Sequence, residues 1–287
     1  MKVLITGHRG QLGDALLKCA PADAEITAID RDELDLTQPD AVTAFVDDCA
    51  PDLILNAAAY TAVDRAEIDQ AAAQAVNGDA VGTLASLASK RGAKLIHIST
   101  DFVFGDGASR PIPPDAPTNP LGVYGATKLD GEHRAIANAP DALVIRTAWV
   151  YAPHGGNFVK TMLRLMGERP EIRVVADQIG APTYAPGLAA AMWTLADAGA
   201  QGIMHYSDAG AASWYDFAVA IQEEALAIGL LDRAATIVPI RTEDYPTPAR
   251  RPAYSLLDSS ATWAALGWPA PHWRTNLRTM LQELLHG

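Results

Sequence analysis

The sequence predicts an α/β fold, a doubly wound parallel sheet followed by a smaller C-terminal α/β unit, on three observations. Short, almost continuously apolar runs alternate with helical stretches through the first half of the chain. Strands of that kind are buried on both faces, and the alternation calls for right-handed βαβ crossovers. A glycine-spaced turn, Gly7-His8-Arg9-Gly10-Gln11-Leu12-Gly13, follows the first apolar run directly. Beyond about Val150 the rhythm changes, and Pro153, Pro170, Pro182 and Pro186 divide shorter elements.

In order, Lys2 to Thr6 is the first strand, and the glycine turn leads into a helix through Leu12, Ala15, Leu16 and Leu17. Glu25 to Asp30 is the second strand. A helix from about Gln38 to Cys49, with Thr37 as its cap, precedes a third strand at Asp52 to Asn56. Helical sequence fills most of 63–91, Ala93 to Ser99 is a fourth strand, and a helix beginning near Tyr124 leads to a fifth at Ala142 to Thr147. Ile172 to Ala176 and Ile203 to Tyr206 read as further sheet strands. Ala235 to Arg251 holds a strand-like run and then a Pro- and Arg-rich loop, and Ser259 to Leu266 and Trp273 to Leu285 form a closing helical pair.

The chain of 287 residues is 49% apolar and carries a formal charge of −12. That charge argues against a nucleic-acid partner, which needs concentrated Lys and Arg to displace counterions. No stretch approaches the roughly 20 apolar residues of a membrane span, and the apolar run after Met1 is too short for a signal-peptide core. The cytoplasm is the expected compartment. Cys19 and Cys49 have no CxxC or Cys/His pattern and are expected as buried thiols rather than a disulfide. His8, His97, His133, His154, His205, His272 and His286 lack metal-ligand spacing and are taken as structural or exposed, so no metal site is expected.

The pattern G-x-x-G-x-x-G at the first βα turn has a specific chemistry. Gly7, Gly10 and Gly13 let the backbone turn tightly and bring a pyrophosphate to the N–H groups of Gln11 and Leu12 at a helix N-terminus. This marks a Rossmann-type fold and a nicotinamide dinucleotide. Asp30, closing the second strand, is placed to accept hydrogen bonds from an adenosine ribose, whereas Arg9 and Arg31 are placed to neutralise a 2′-phosphate. NADH and NADPH both stay open. Asp35 and Leu36 follow where the adenine edge should lie, and Ala58, Ala59 and Tyr60 follow the third strand where the nicotinamide ribose needs close backbone approach. The expected division is a nucleotide-binding domain over 1–150 with a returning segment at about 172–200, and a substrate domain over 151–171 and 201–287.

Tyr124 and Lys128 stand four residues apart, on one face of a helix. An ammonium beside a phenol favours the phenolate and brings its pKa toward the range of a general acid. The fourth strand ends in Ser99-Thr100-Asp101, at the carboxyl edge where ligands of such sheets bind. There the Thr100 hydroxyl can hydrogen-bond a carbonyl oxygen and the Tyr124 phenol together.

These residues resemble the extended short-chain dehydrogenases, and within them the dTDP-4-dehydrorhamnose reductases. The resemblance runs over nearly the whole chain: Gly7 to Gly13, Asn56 to Asp64, Ser99-Thr-Asp-Phe-Val-Phe104, Pro120 with Tyr124-Gly-Ala-Thr-Lys128, Arg146-Thr-Ala-Trp-Val-Tyr151, Asp177-Gln-Ile-Gly-Ala-Pro-Thr183 and Arg251-Pro-Ala-Tyr-Ser-Leu-Leu-Asp258. It implies reduction by NADH or NADPH of the C4 ketone of a nucleotide-linked 4-keto-6-deoxy sugar, with Tyr124 protonating the oxygen. By the same resemblance Lys128 binds the nicotinamide ribose and lowers the Tyr124 pKa, Thr100 tunes proton transfer, and Thr100, Asp101 and Trp149 contact the sugar. Asp177, Gln178 and Arg251 are candidates for the substrate rim, Arg251 facing the diphosphate. Phe102 departs from the tyrosine of many relatives, and Ala15 stands where some relatives carry an acid for a magnesium-bridged dimer, so a homodimer stays open without that metal. An epimerase, a dehydratase or a non-catalytic nucleotide-binding subunit are the alternatives. Phe102, where a dehydratase wants glutamate, and the presence of both Tyr124 and Lys128 count against the last two.

Overall fold

The computed structural model describes residues 1–286. Strand β1 (Lys2–Thr6) runs through the glycine turn into α1 (Gln11–Lys18), which buries Leu12, Ala15 and Leu16. Strand β2 (Glu25–Ile29) precedes α2 (Pro39–Cys49). Thr37 does not cap α2. Its N–H and hydroxyl both donate to the Asp35 carboxylate, at 3.0 and 2.8 Å, and the helix starts on Pro39, whose fixed φ suits a first helical position.

After β3 (Leu53–Asn56), the region expected to be largely helical is divided into α3 (Val63–Ala66), α4 (Gln70–Gln74), a π-helical turn over Ala75–Asp79, and α5 (Ala80–Arg91). A π turn holds one residue more than an α turn, and this one carries Asn77 to complete burial. Then come β4 (Lys94–Thr100), a 3-10 turn at Asp101–Val103, α6 (Val123–Asn138), β5 (Leu143–Thr147) and β6 (Val150–Tyr151). The remainder comprises α7 (Phe158–Glu168), β7 (Glu171–Val175), β8 (Ile179–Gly180), β9 (Thr183–Tyr184), α8 (Ala185–Asp197), β10 (Gly202–His205), β11 (Ala212–Ser213), α9 (Trp214–Ala227), β12 (Thr236–Ile240), α10 (Ser260–Leu266) and α11 (Trp273–His286).

Six strands form one parallel sheet in the order β10-β5-β4-β3-β1-β2. This is the Rossmann-type doubly wound arrangement expected. Register sets Thr6, Ile29 and Asn56 in one row with His97, so Ile98, Ser99 and Thr100 of β4 project past the ends of β1 to β3. Chain direction across the sheet reverses at the β1/β3 pair, the position where sheets of this kind open a ligand crevice.

Helices cover both faces. Leu12 and Leu16 of α1 pack with Leu188, Met192 and Trp193 of α8 on one, and Val42, Val46, Val81 and Leu84 of α2 and α5 cover the other. A separate core joins α7, α9 and α11 through Val159, Met162, Phe217, Leu277 and Met280. No described helix is long and apolar enough to cross a membrane.

One strand assignment is corrected and one is borne out. The 172–176 run does not extend the sheet: β7 pairs with β12, because its alternating burial leaves Glu171 and Arg173 outside, as only a one-faced strand tolerates. The 203–206 run, as expected, is a sheet strand: β10 completes the sheet beside β5. Both cysteines are free, but neither is fully buried as expected: Cys19 is exposed at the end of α1 and Cys49 is half-buried.

Candidate active site

The glycine turn is fixed by close backbone approaches. Gly7 has φ +75°, and a Cβ on it would lie 2.7 Å from the Ala58 nitrogen, so the turn rests against the segment leaving β3. A Cβ on Gly13 would lie 2.1 Å from the Gly7 carbonyl oxygen. Gly13→Ala therefore forces the turn off α1, and an expected loss of dinucleotide affinity of at least tenfold can be read by fluorescence titration. No side chain caps α1 at Gly10, which leaves its first N–H groups for an anion.

A cleft of about 900 Å³ follows the carboxyl edge of the sheet. On the β2 side it is lined by Asp30, Arg31, Asp35 and Leu36, and at the switch point by Gly7, Arg9, Gly10, Gln11 and Leu12 with Ala58, Ala59 and Tyr60. Tyr124, Lys128 and Trp149 line it on the β4–β5 side. Of the expected cofactor residues only Gly13 stays outside the lining, in keeping with its contact to the turn.

At the β2 end the Asp30 carboxylate accepts the N–H of Arg9 at 3.1 Å and of Arg31 at 2.7 Å, tying β2 to the glycine turn. The Arg9 guanidinium is already held by Asp32 and Glu33. Arg31 has no ion-pair partner among the described residues. Of the two arginines expected to meet a 2′-phosphate, it is the one not already neutralised.

At the other end Lys128 is 2% exposed. Its ammonium donates to the Ile98 carbonyl at 2.5 Å and lies 3.3 Å from His97 Nε2. Burial lowers its pKa to about 8 against the opposing field of Glu132. Burial also pushes Tyr124 up to about 12, with Thr100 working the other way. Lys128, directed to β4, is not what sets the Tyr124 pKa here: burial dominates, with only Thr100 lowering it. The phenol remains a proton donor at neutral pH. Phe102 packs edge-on against Tyr124, centroids 5.5 Å apart.

Thr100 and Asp101 sit beneath the cleft and do not line it. The Thr100 hydroxyl donates to Asp101 at 3.1 Å and accepts the Phe102 N–H at 3.2 Å, capping the 3-10 turn. Burial raises Asp101 to about 6, and its Oδ2 has no partner. Behind them Ser99 donates to Glu132 at 2.5 Å, and Arg146 grips Glu132 with two bonds, at 2.9 and 2.7 Å.

On the substrate side, Trp149 takes a left-handed φ of +49° and stacks on Trp214, ring centroids 3.5 Å apart. Gln178 is buried and donates to Thr242, whose hydroxyl and N–H are also held by Asp177. Arg251 does not face the cleft: its guanidinium forks onto Asp64, at 3.1 and 2.8 Å, and reaches Thr247 and the Ala249 carbonyl. A carboxylate brought close from far along the chain satisfies the fork in place of a diphosphate.

Several lining or supporting residues carried no pattern that sequence reasoning could use. Gly155 and Gly156 line the cleft from a loop bent over the glycine turn, where His154 bonds the Arg9 carbonyl and Asn157 bonds Gln11. Asn77 accepts the Tyr60 N–H at 2.8 Å and donates to the Tyr60 carbonyl and to Thr127, each at 3.2 Å, which couples the segment after β3 to α6. A lone Asn among small apolar residues was its only sequence signal.

The family model described as RmlD substrate binding domain matches residues 1–286. The chain is 44% identical to the dTDP-4-dehydrorhamnose reductase of Burkholderia thailandensis, over 99% of each chain. It is similar to the crystal structure of a dTDP-4-dehydrorhamnose reductase from Clostridium acetobutylicum, with TM-score 0.94 and 36% identity over 99% of this chain and 100% of that one. The Bacillus anthracis dTDP-4-dehydrorhamnose reductase, solved in complex with NADP, superimposes with TM-score 0.92 and 34% identity over 98% and 99%.

Proposed function

Since the chain belongs to the RmlD substrate-binding-domain family, we propose that it is an NAD(P)H-dependent oxidoreductase reducing the C4 ketone of dTDP-4-dehydro-L-rhamnose to dTDP-L-rhamnose. The observation that carries this reading is the Tyr124–Lys128 pair at one end of a cleft whose middle is a glycine turn with an uncapped helix N-terminus. The cleft fits a dinucleotide: Gly7 admits the backbone close to Ala58, Asp30 stands at the ribose end, and the α1 N–H groups suit a pyrophosphate.

The nicotinamide, when bound, supplies a hydride to C4. Tyr124, protonated at neutral pH, donates its proton to the C4 oxygen as charge develops there. Lys128, one helical turn away, holds the nicotinamide ribose. Thr100 supports the phenol from beneath the cleft, the Trp149 ring bounds the sugar, and Asp101 reaches the sugar only once the cleft floor opens to it. Gln178 and Arg251 act at the substrate rim, Arg251 after exchanging Asp64 for the diphosphate. The nucleotide half spans 1–150 with the returning segment at about 172–200 and β10, and 151–171 with the remainder of 201–287 binds substrate. The enzyme acts in the cytoplasm on a small nucleotide sugar, alone or as a homodimer.

Purified protein mixed with dTDP-4-dehydro-L-rhamnose is expected to consume NADPH or NADH and yield dTDP-L-rhamnose, identified by NMR. No consumption of either by folded, cofactor-binding protein rules the reading out.

A further inference from the structure

His97 belongs to a buried chain of hydrogen bonds whose donors and acceptors can be assigned one by one. The Asn56 side-chain oxygen receives the Ala58 N–H at 3.2 Å and the Thr6 hydroxyl at 2.7 Å. The Ala58 N–H can only donate, so the amide of Asn56 is fixed with its oxygen there and its NH₂ on the opposite side. That NH₂ lies 3.1 Å from His97 Nδ1, which must therefore be the unprotonated ring nitrogen. A neutral imidazole then carries its proton on Nε2, and Nε2 is 3.3 Å from Lys128 Nζ.

An ammonium has three N–H donors and no lone pair, so it gains nothing from an N–H aimed at it. A neutral amine has a lone pair and accepts that N–H. From this geometry, and resting on the reductase reading for its functional meaning, we propose that His97 is a positioning residue that presents its Nε2–H to Lys128 and biases the lysine toward its neutral amine form. The ring is completely buried, and both burial and the neighbouring Lys128 hold its own pKa well below the ordinary histidine value, so it stays neutral throughout.

The surrounding groups leave this contact as the adjustable one. Lys128 faces His97 from α6, and Glu132 on the same helix favours the ammonium. Tyr124, on that helix too, is uncharged at neutral pH. The strand neighbours of His97 are Asn56 on β3 and Val144 on β5, neither of them ionisable. The proposed reaction takes one proton from Tyr124 in each turnover. A lysine one turn away that gives up its proton near neutral pH is suited to replace it.

Two measurements on the full chain test the proposal without turnover, so its failure and that of the reductase reading are separable. In ¹⁵N-histidine NMR of the wild type, His97 is expected as the Nε2–H tautomer. An Nδ1–H tautomer would overturn the proposal even if no variant folds. In ¹³C-lysine NMR, the Lys128 midpoint is expected to rise by about one unit, tenfold in its acid constant, in His97→Asn, which keeps an acceptor for Asn56 but no N–H toward Lys128. His97→Leu should raise it too. An unmoved midpoint in both variants overturns the proposal. In His97→Asn the alkaline limb of kcat/KM should move upward with the Lys128 midpoint.

Discussion

Tyr124→Phe is expected to lower kcat by roughly 10²- to 10⁴-fold, the usual contribution of a positioned proton donor, with cofactor affinity and melting temperature close to wild type. The phenylalanine keeps the edge-on contact to Phe102. Only the proton goes. Steady-state NADPH oxidation by the variant, alongside its thermal unfolding curve, checks this. Retention of more than a tenth of the wild-type rate would remove Tyr124 from the chemistry.

The pH profile carries a matching sign. With Tyr124 near 12, its proton is present throughout the working range, so it gives no limb near neutrality. Lys128, near 8, loses its charge as pH rises through that value. Its hold on a ribose hydroxyl weakens, and kcat/KM should fall above about pH 8. The fall should be absent from what activity Lys128→Met retains.

Glu132→Ala is expected to destabilise the fold by about 3–5 kcal/mol, the cost of stranding one partner of a buried ion pair. Glu132 is 1% and Arg146 2% exposed, and the pair is bidentate. Arg146 also donates to the Pro114 carbonyl at 3.0 Å, while His205 holds the Ile112 carbonyl at 3.0 Å, so the network fastens the loop at 112–114. Urea unfolding of the variant measures the loss. Glu132→Leu combined with Arg146→Met should recover part of it, since both charges then leave the interior together. Full stability in Glu132→Ala would mean that Arg146 finds water on its own.

What the sequence discloses is what local chemistry encodes. The strand, glycine turn and helix at Lys2 to Lys18 occupy one contiguous stretch, and Tyr124 and Lys128 share a helix face by spacing alone. Both were legible for that reason. Arg251 was not, because its partner Asp64 lies 187 residues away and no spacing rule spans that gap. His97 reads as one residue of a buried strand, and its contacts come from β3 and α6. The burial that raises the Tyr124 pKa was not legible either, because residue spacing says that two groups are near, not how completely water is removed from each.

The π turn at Ala75–Asp79 limits which lengths this chain can have. Removing one residue there would let the i→i−4 ladder run straight from α4 into α5. The chain up to α4 would then turn by about 100° and slide by about 1.5 Å against α5. Asn77 would swing away from Tyr60 and Thr127, and the segment after β3 would lose its tie to the helix that carries Tyr124. A short helix far from any loop tip, touching no reacting atom, is thereby closed to insertion and deletion, while the exposed turn around Gly229 has no such register to keep.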